Sequence, residues 1–180
     1  FPSRNFRHGY LFVNRRSGVA RPEDLRGKIV GVPEYQMTAA LWVRGFLQHD
    51  FGVHARDIRW RSGAMDEHGY DERLSVDLPA DIEHETIVDG ETLEGMLESG
   101  AIDGLIMAAR PKLSGGRNVR RLFPDFPAVE KDYYRRTGLF PIMHTVVIRR
   151  AIYEAHPWIA TSLFEAFERA KQASRERIRV

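Results

Sequence analysis

The 180-residue chain contains no cysteine, which excludes disulfides, thiolate nucleophiles and thiolate metal ligands. No apolar run approaches the roughly 20 residues that cross a bilayer as a helix. A phosphate-binding glycine loop, a dinucleotide glycine pattern and a Gly-x-Ser-x-Gly elbow are all missing. Nucleotide chemistry and the hydrolase elbow therefore lack their usual anchors. His49, His54, His68, His84 and His156 do not fall at metal-ligand spacings, and "HETIVD" departs from the HExxH pattern, so no metal site is expected. Net charge is only +2, from 27 basic and 25 acidic residues. That balance sets up no strong field for a polyanion, and neither nucleic acid nor membrane is expected as a partner.

What is present describes an ordinary globular protein, 43% hydrophobic and 29% charged, long enough for one domain or two small lobes. Charge is distributed unevenly. Residues 1–30 carry Arg4, Arg7, Arg15, Arg16, Arg21, Arg26 and Lys28 against Glu23 and Asp24, whereas Asp66 to Asp103 is acidic with Arg73 alone opposing it. A small anion would favour the basic side, although such patches also occur on solvated surfaces that bind nothing.

The apolar pattern alternates between strands and helices. "YLFVN" (10–14), "KIVGV" (28–32) and "DIRW" (57–60) read as strands. Ala39, Ala40, Trp42, Val43, Phe46 and Leu47 recur at spacings of three and four, one face of a helix closed by Gly52. The stretch 86–108 repeats the scheme: a strand, a helix with Leu93, Met96 and Leu97 inward, a stop at Gly100, then a strand. A further helix is expected around Glu130 to Arg135 and a strand at 142–148. Pro157 opens a long helix with Ile159, Leu163, Phe164 and Phe167 inward. Alternation of this kind predicts a mainly parallel sheet with helices on its faces, the strands at 28–32 and 102–108 in one sheet.

"GVPEYQMTAALWVRG" (31–45) places Glu34, Tyr35, Gln36 and Thr38 where a strand gives way to an apolar helix. A helix start presents unpaired N–H groups and the positive end of the dipole, which suits a carboxylate. On one reading Tyr35, Gln36 and Thr38 add donors to a ligand; on the other, Thr38 or Glu34 simply caps the helix.

This stretch, within "RPEDLRGKIVGVPEYQMTAALWVRGFLQHDFGV", resembles the 4,5-dihydroxyphthalate decarboxylase family, as do "FPSRNFRHGYLFVN" and "TGLFPIMHTVVIRR". "PEYQMTA" and "FRH" are the specific parts, since transporter-type substrate-binding proteins share the "PEDLRGK" segment. The resemblance implies a type II periplasmic-binding-protein-like α/β fold: two lobes with mainly parallel sheets, joined by crossing strands, with ligand in the cleft. On that template 1–14 are a first-lobe end and crossing strand, 15–140 the second lobe, and 141–180 a return crossing strand and first-lobe helix. The family is longer at both ends, which implies an incomplete first lobe here and an inactive chain by itself. A segment or signal peptide before Phe1 is left open.

The resemblance also implies a cytoplasmic carboxy-lyase of aromatic catabolism. It would act on a small hydroxylated aromatic carboxylate without a cofactor, with homo-oligomerisation left open. Arg4, Arg7, Tyr35, Gln36, Thr38 and Arg110 become candidates for binding substrate. His8 and His144 become candidates for proton transfer, His8 favoured because it adjoins two arginines. Arginine grips a carboxylate as a planar fork, and histidine exchanges protons near neutrality. Each residue also has an ordinary alternative: a surface arginine, a satisfied core histidine, a helix cap. The rival from another class is a solute-binding protein of a transporter for a small organic anion. A second rival is an enzyme of the same fold acting on other small acids.

Overall fold

The apolar run before the quoted motif becomes a strand, β3 (Ile29–Val32), and a helix follows it closely. That helix, α1 (Thr38–Phe51), buries Ala39, Ala40, Val43, Phe46 and Leu47, the face set by the three- and four-residue spacing. It ends at Gly52, whose φ of 64° is the left-handed conformation that releases the chain from a helix. The computed structural model describes residues 3–66, 77–88, 90–107 and 118–178.

Before α1 come β1 (Ser3–Arg4), a 3-10 turn at His8–Tyr10 and β2 (Leu11–Asn14). After it come β4 (Arg59–Ser62), β5 (His84–Thr86), α2 (Leu93–Ser99), β6 (Gly104–Ile106) and β7 (Val119–Arg121). The Thr92 side chain caps α2, accepting the Gly95 N–H at 3.2 Å. α3 (Phe126–Thr137) starts similarly on Asp125, which accepts from Ala128.

Six strands make one sheet in the order β5-β4-β3-β6-β2-β7. β5, β4, β3 and β6 run parallel, while β2 is antiparallel to both β6 and β7. The expected pairing of the strands at 28–32 and 102–108 is present, with Val30 opposite Gly104 and Gly31 opposite Leu105. One core joins Val30, Val32, Trp60 and Ile106 to Val43, Phe46 and Leu47 of α1 and Tyr133 of α3. A second joins Phe12 and Leu105 to Leu93 and Leu97 of α2. The two cores use opposite side-chain directions of β2, so its apolar residues Leu11, Phe12 and Val13 are all buried.

The chain divides into two compact units, Phe6–Pro141 and Phe1–Asn5 with Ile142–Val180. The first contains the whole six-stranded sheet. β2, expected as a crossing strand, is also a full member of that sheet. The second unit pairs β1 antiparallel with β8 (Ile142–His144) and carries α4 (Arg150–Ala155) and α5 (Trp158–Ile178). The strand expected over 142–148 keeps three residues.

The expected inward face of the last helix needs correction. Neither α4 nor α5 buries a residue, and Phe164 is 67% exposed. Among the described residues the other elements of this unit are a two-stranded sheet and a two-turn helix, which offer too little surface to cover the Leu163–Phe164–Phe167 stripe. No helix among the described residues is long and apolar enough to cross a membrane.

Asn14 ties α2 to the sheet. Its Nδ2 donates to the Leu97 carbonyl at 2.7 Å and its Oδ1 accepts the Arg16 N–H at 2.8 Å. Asn14→Ala strands the buried carbonyl and should cost about 1–3 kcal/mol. The expected result is a lower urea midpoint with an unchanged m-value; an unchanged midpoint would refute the tie.

Candidate functional site

Sheet polarity decides which segments share an edge. β3, β4, β5 and β6 all end on the same side, the side where α/β sheets bind ligands. β2 runs the other way and therefore starts there: Leu11 lies opposite Ile106, and the Met107 N–H donates to the Tyr10 carbonyl at 3.0 Å. The Pro33–Met37 junction and the Arg7–Tyr10 segment consequently meet the same edge. β6 separates β3 from β2, so the two segments stand about 10 Å apart at neighbouring strand spacings.

At the junction, Met37 occupies the N-cap position of α1, and its side chain makes no capping hydrogen bond. The N-cap position thus falls to neither Thr38 nor Glu34. Thr38 is exposed and Gln36 partly exposed, both at the helix start. Tyr35 differs from the expectation for it. It is 8% exposed, its ring standing edge-on to Trp60 (5.4 Å between centroids) and to His84 (5.6 Å). Burial pushes the Tyr35 hydroxyl above the ordinary tyrosine range. Its side chain is part of the wall of its own unit, and only its backbone belongs to the junction surface.

The "FRH" residues diverge. Phe6 stacks on Phe140 at 4.8 Å. The Arg7 guanidinium is buried, 5.0 Å from the Tyr10 ring centroid, with Glu130 as a nearby opposite charge. Glu130 of α3 accepts the Gly9 N–H at 3.2 Å, and burial raises its carboxyl above the usual range. Arg121 completes the grouping, donating through Nε to the Gly9 carbonyl at 3.0 Å. Arg7 is therefore engaged inside its own unit.

His8 is 2% exposed and stacks on Phe46 at 4.1 Å, with Phe123 and Tyr133 around it. Phe46 lies eight residues beyond Thr38, about 12 Å along the helix axis. The structure thus does not bring the His8 ring to Gln36 and Thr38. His8 borders a cavity of about 380 Å³ shared with Asp50, Tyr133 and Arg136, and among the described residues its Nδ1 has no hydrogen-bond partner. Across the cavity Arg136 holds Asp50 through two hydrogen bonds of 3.0 and 2.9 Å. Desolvation lowers the His8 pKa to about 4, so at neutral pH the ring carries no proton to donate from its charged form.

In the other unit, His144 is exposed and its Nδ1 lies 2.5 Å from the Ser3 hydroxyl. Arg4, on the strand paired with it, is exposed as well. Arg110 lies outside the described residues. Among those described, no group of three or more His, Asp or Glu side chains converges as a metal site.

One residue of the site region escaped the sequence reading. Arg44 of α1 lies over the Tyr35 ring, 3.9 Å from its centroid, and donates to the Tyr35 carbonyl at 2.6 Å. The available signal was its position as the sole Lys or Arg of an otherwise mostly apolar helix.

The architecture is that of an α/β unit with a mixed six-stranded sheet and its open edge at the strand carboxyl ends. Two solved structures share part of it. The periplasmic aliphatic sulphonate binding protein SsuA of Escherichia coli matches with a TM-score of 0.39 and 17% identity, over 73% of this chain and 42% of that one. The second substrate-binding domain of an amino acid ABC transporter from Streptococcus pneumoniae matches with a TM-score of 0.32 and 22% identity, over 62% and 38%. At such scores the fold rests on the strand order above.

Sequence is more informative. The chain is 40% identical to a curated 4,5-dihydroxyphthalate decarboxylase of Comamonas testosteroni over 180 residues, 99% of this chain and 54% of that protein. It is 42% identical to a Pseudomonas putida protein of the same name over 137 residues, 75% and 53%. No family model matches. The likeness to the 4,5-dihydroxyphthalate decarboxylase family read from the motifs therefore holds along the whole chain, which spans about half the length of the curated relatives.

The His8 environment predicts a pH dependence of stability. The unfolded chain binds the imidazole proton near the ordinary value of 6.5, the folded chain only near 4. Between these values the unfolded state holds more protons, so this contribution is complete above about pH 6.5 and is lost as the pH falls toward 4. From pH 7 to 4.5 the wild type should lose about 2 kcal/mol more stability than His8→Leu. Equal losses in denaturant titrations at the two pH values would show that burial does not hold the ring neutral.

Proposed function

We propose that the protein carrying this chain removes carbon dioxide, without oxidation, from a hydroxylated aromatic carboxylate of the 4,5-dihydroxyphthalate type. The observation that carries the reading is the 40% identity to a decarboxylase of that name along 99% of the chain. A transporter's solute-binding protein is not favoured, because both curated relatives are named as enzymes.

The residue types suit the chemistry. A carboxylate para to a phenol leaves once the ring carbon that bears it is protonated. Electron density pushed from the phenol stabilises that protonated ring, and the ring itself serves as the electron sink. Groups that bind should hold the carboxylate that stays. Gripping the departing one would stabilise the ground state and slow the step. Gln36, Thr38 and the start of α1 are the candidates for that binding within the sheet-bearing unit. Arg4, an exposed permanent cation, is the candidate in the other.

Proton delivery requires an imidazole that can gain and lose its proton in reach of solvent. His8 is buried among aromatic rings and kept neutral, whereas His144 is exposed. The acid role favoured for His8 on sequence grounds is therefore proposed for His144.

The test is turnover of 4,5-dihydroxyphthalate by the complete enzyme, followed by mass spectrometry for loss of carbon dioxide and appearance of the dihydroxybenzoate. Binding without turnover would favour the transporter reading. His144→Gln should lower kcat by about 10²–10⁴-fold, the usual contribution of a general acid, with substrate still bound in calorimetry. Undiminished turnover would remove His144 from the mechanism.

A further inference from the structure

Arg44 sits in α1 at a place where an apolar residue would pack more cheaply. Its guanidinium lies 3.9 Å from the Tyr35 ring centroid and 5.8 Å from that of Trp60, and Nη1 donates to the Tyr35 carbonyl at 2.6 Å. Among the described residues no carboxylate pairs with it, and burial disfavours its charged form. A half-buried cation without a counter-ion is a net cost that stacking and one carbonyl offset only in part. A local arrangement that breaks the packing rules points to a use.

The geometry shows what this cation holds. The Tyr35 carbonyl belongs to the peptide that joins Tyr35 to Gln36. On its N-terminal side, β3 ends at Val32. On its C-terminal side, the Met37 N–H closes a turn onto the Glu34 carbonyl at 3.2 Å, and Leu41 N–H to Met37 carbonyl begins the helix at 3.0 Å. Arg44 is thus bonded to the middle of the turn that sets where α1 starts. The stacked ring fixes the guanidinium from one direction and the carbonyl from another, and the planar fork allows both at once. Tyr35 is in turn wedged against Trp60 at 5.4 Å, a residue buried in the centre of β4. The turn is held to the sheet through a chain of Arg44, Tyr35 and Trp60.

We propose that Arg44 is a positioning residue for substrate binding: it fixes the Tyr35–Gln36 peptide and so aims Gln36 and the start of α1 at the retained carboxylate. The proposal rests on the reading that this junction contacts the substrate of a decarboxylase. Arg44 does not itself touch the reacting carbon in this scheme. It has no proton to give at working pH, so its loss should appear in binding rather than in proton transfer.

The experiment uses the complete enzyme with 4,5-dihydroxyphthalate and two variants, Arg44→Met and Arg44→Lys, each checked for folding by thermal melting. Arg44→Met keeps an apolar stem and loses charge, fork and stack. It is expected to raise KM about tenfold or more, the scale of one charge-assisted hydrogen bond, with kcat within about threefold. Arg44→Lys keeps the charge and loses the fork, and its KM should fall between wild type and Arg44→Met. A folded variant of either kind with wild-type KM, or a loss confined to kcat, would overturn the role. If Arg44→Met does not fold, the KM of Arg44→Lys decides alone. A wild-type enzyme that neither binds nor converts the acid would instead sink the underlying reading, and this role with it.

Discussion

The antiparallel insertion of β2 between β6 and β7 is the constraint on which the rest of the sheet-bearing unit depends. Four parallel strands end on one side, and β2, by running the other way, delivers residues 7–10 to that same side. Its side chains point alternately into both cores, so one short strand locks α1 and α3 on one face and α2 on the other. Its last residue, Asn14, bonds to the end of α2. A register slip of one residue would exchange the two faces and could put Asn14 in place of Val13.

Around that edge, buried charge is handled in three different ways. Arg7, Arg121 and Glu130 gather around the Gly9 backbone, where their attraction offsets only part of the burial that still raises the Glu130 carboxyl. His8, a few atoms away in sequence, has no carboxylate bonded to its ring and gives up its charge instead, at a pKa of about 4. Arg44 can do neither, because a guanidinium does not deprotonate at working pH. It relies on the faces of two aromatic rings and a carbonyl. The three solutions differ in their outcome: the first two close off their groups, and the third fixes a backbone turn.

Much of this fold was legible from periodicity. The spacing of Ala39 to Leu47 announced α1 and its buried face, and the β-branched run at 29–32 announced its strand. Less was legible where a segment's partners decide its state. β2 read as a connecting strand because four residues cannot reveal which strands will flank them. The stripe on α5 read as inward because an apolar face implies a cover, whereas its own unit offers almost none. The site was harder still. Sequence adjacency grouped Arg7 with His8, yet successive residues in and before a 3-10 turn point in different directions, and the two side chains enter different surroundings. Adjacency likewise grouped Tyr35 with Gln36 and Thr38, although Tyr35 turns inward to Trp60. Arg44 became visible only once nine residues of chain had folded back to place it on Tyr35.

These placements separate binding from proton transfer more sharply than the motifs did. Decarboxylation of a hydroxylated ring asks little of the group that binds: it must hold one carboxylate in a fixed direction and leave the other ungripped. A rigid backbone junction does this better than a mobile side chain, because its N–H groups are already oriented and lose little freedom on binding. Proton transfer asks the opposite, an imidazole free to change state with solvent. A buried ring at pKa 4 cannot be charged at neutrality without paying back its desolvation. The exposed His144 is the ring proposed for that transfer, and Arg44, in its proposed role, would stiffen the binding junction while leaving proton transfer alone. Under the proposed roles a permanent cation serves geometry, and proton transfer is asked of no residue whose burial forbids it.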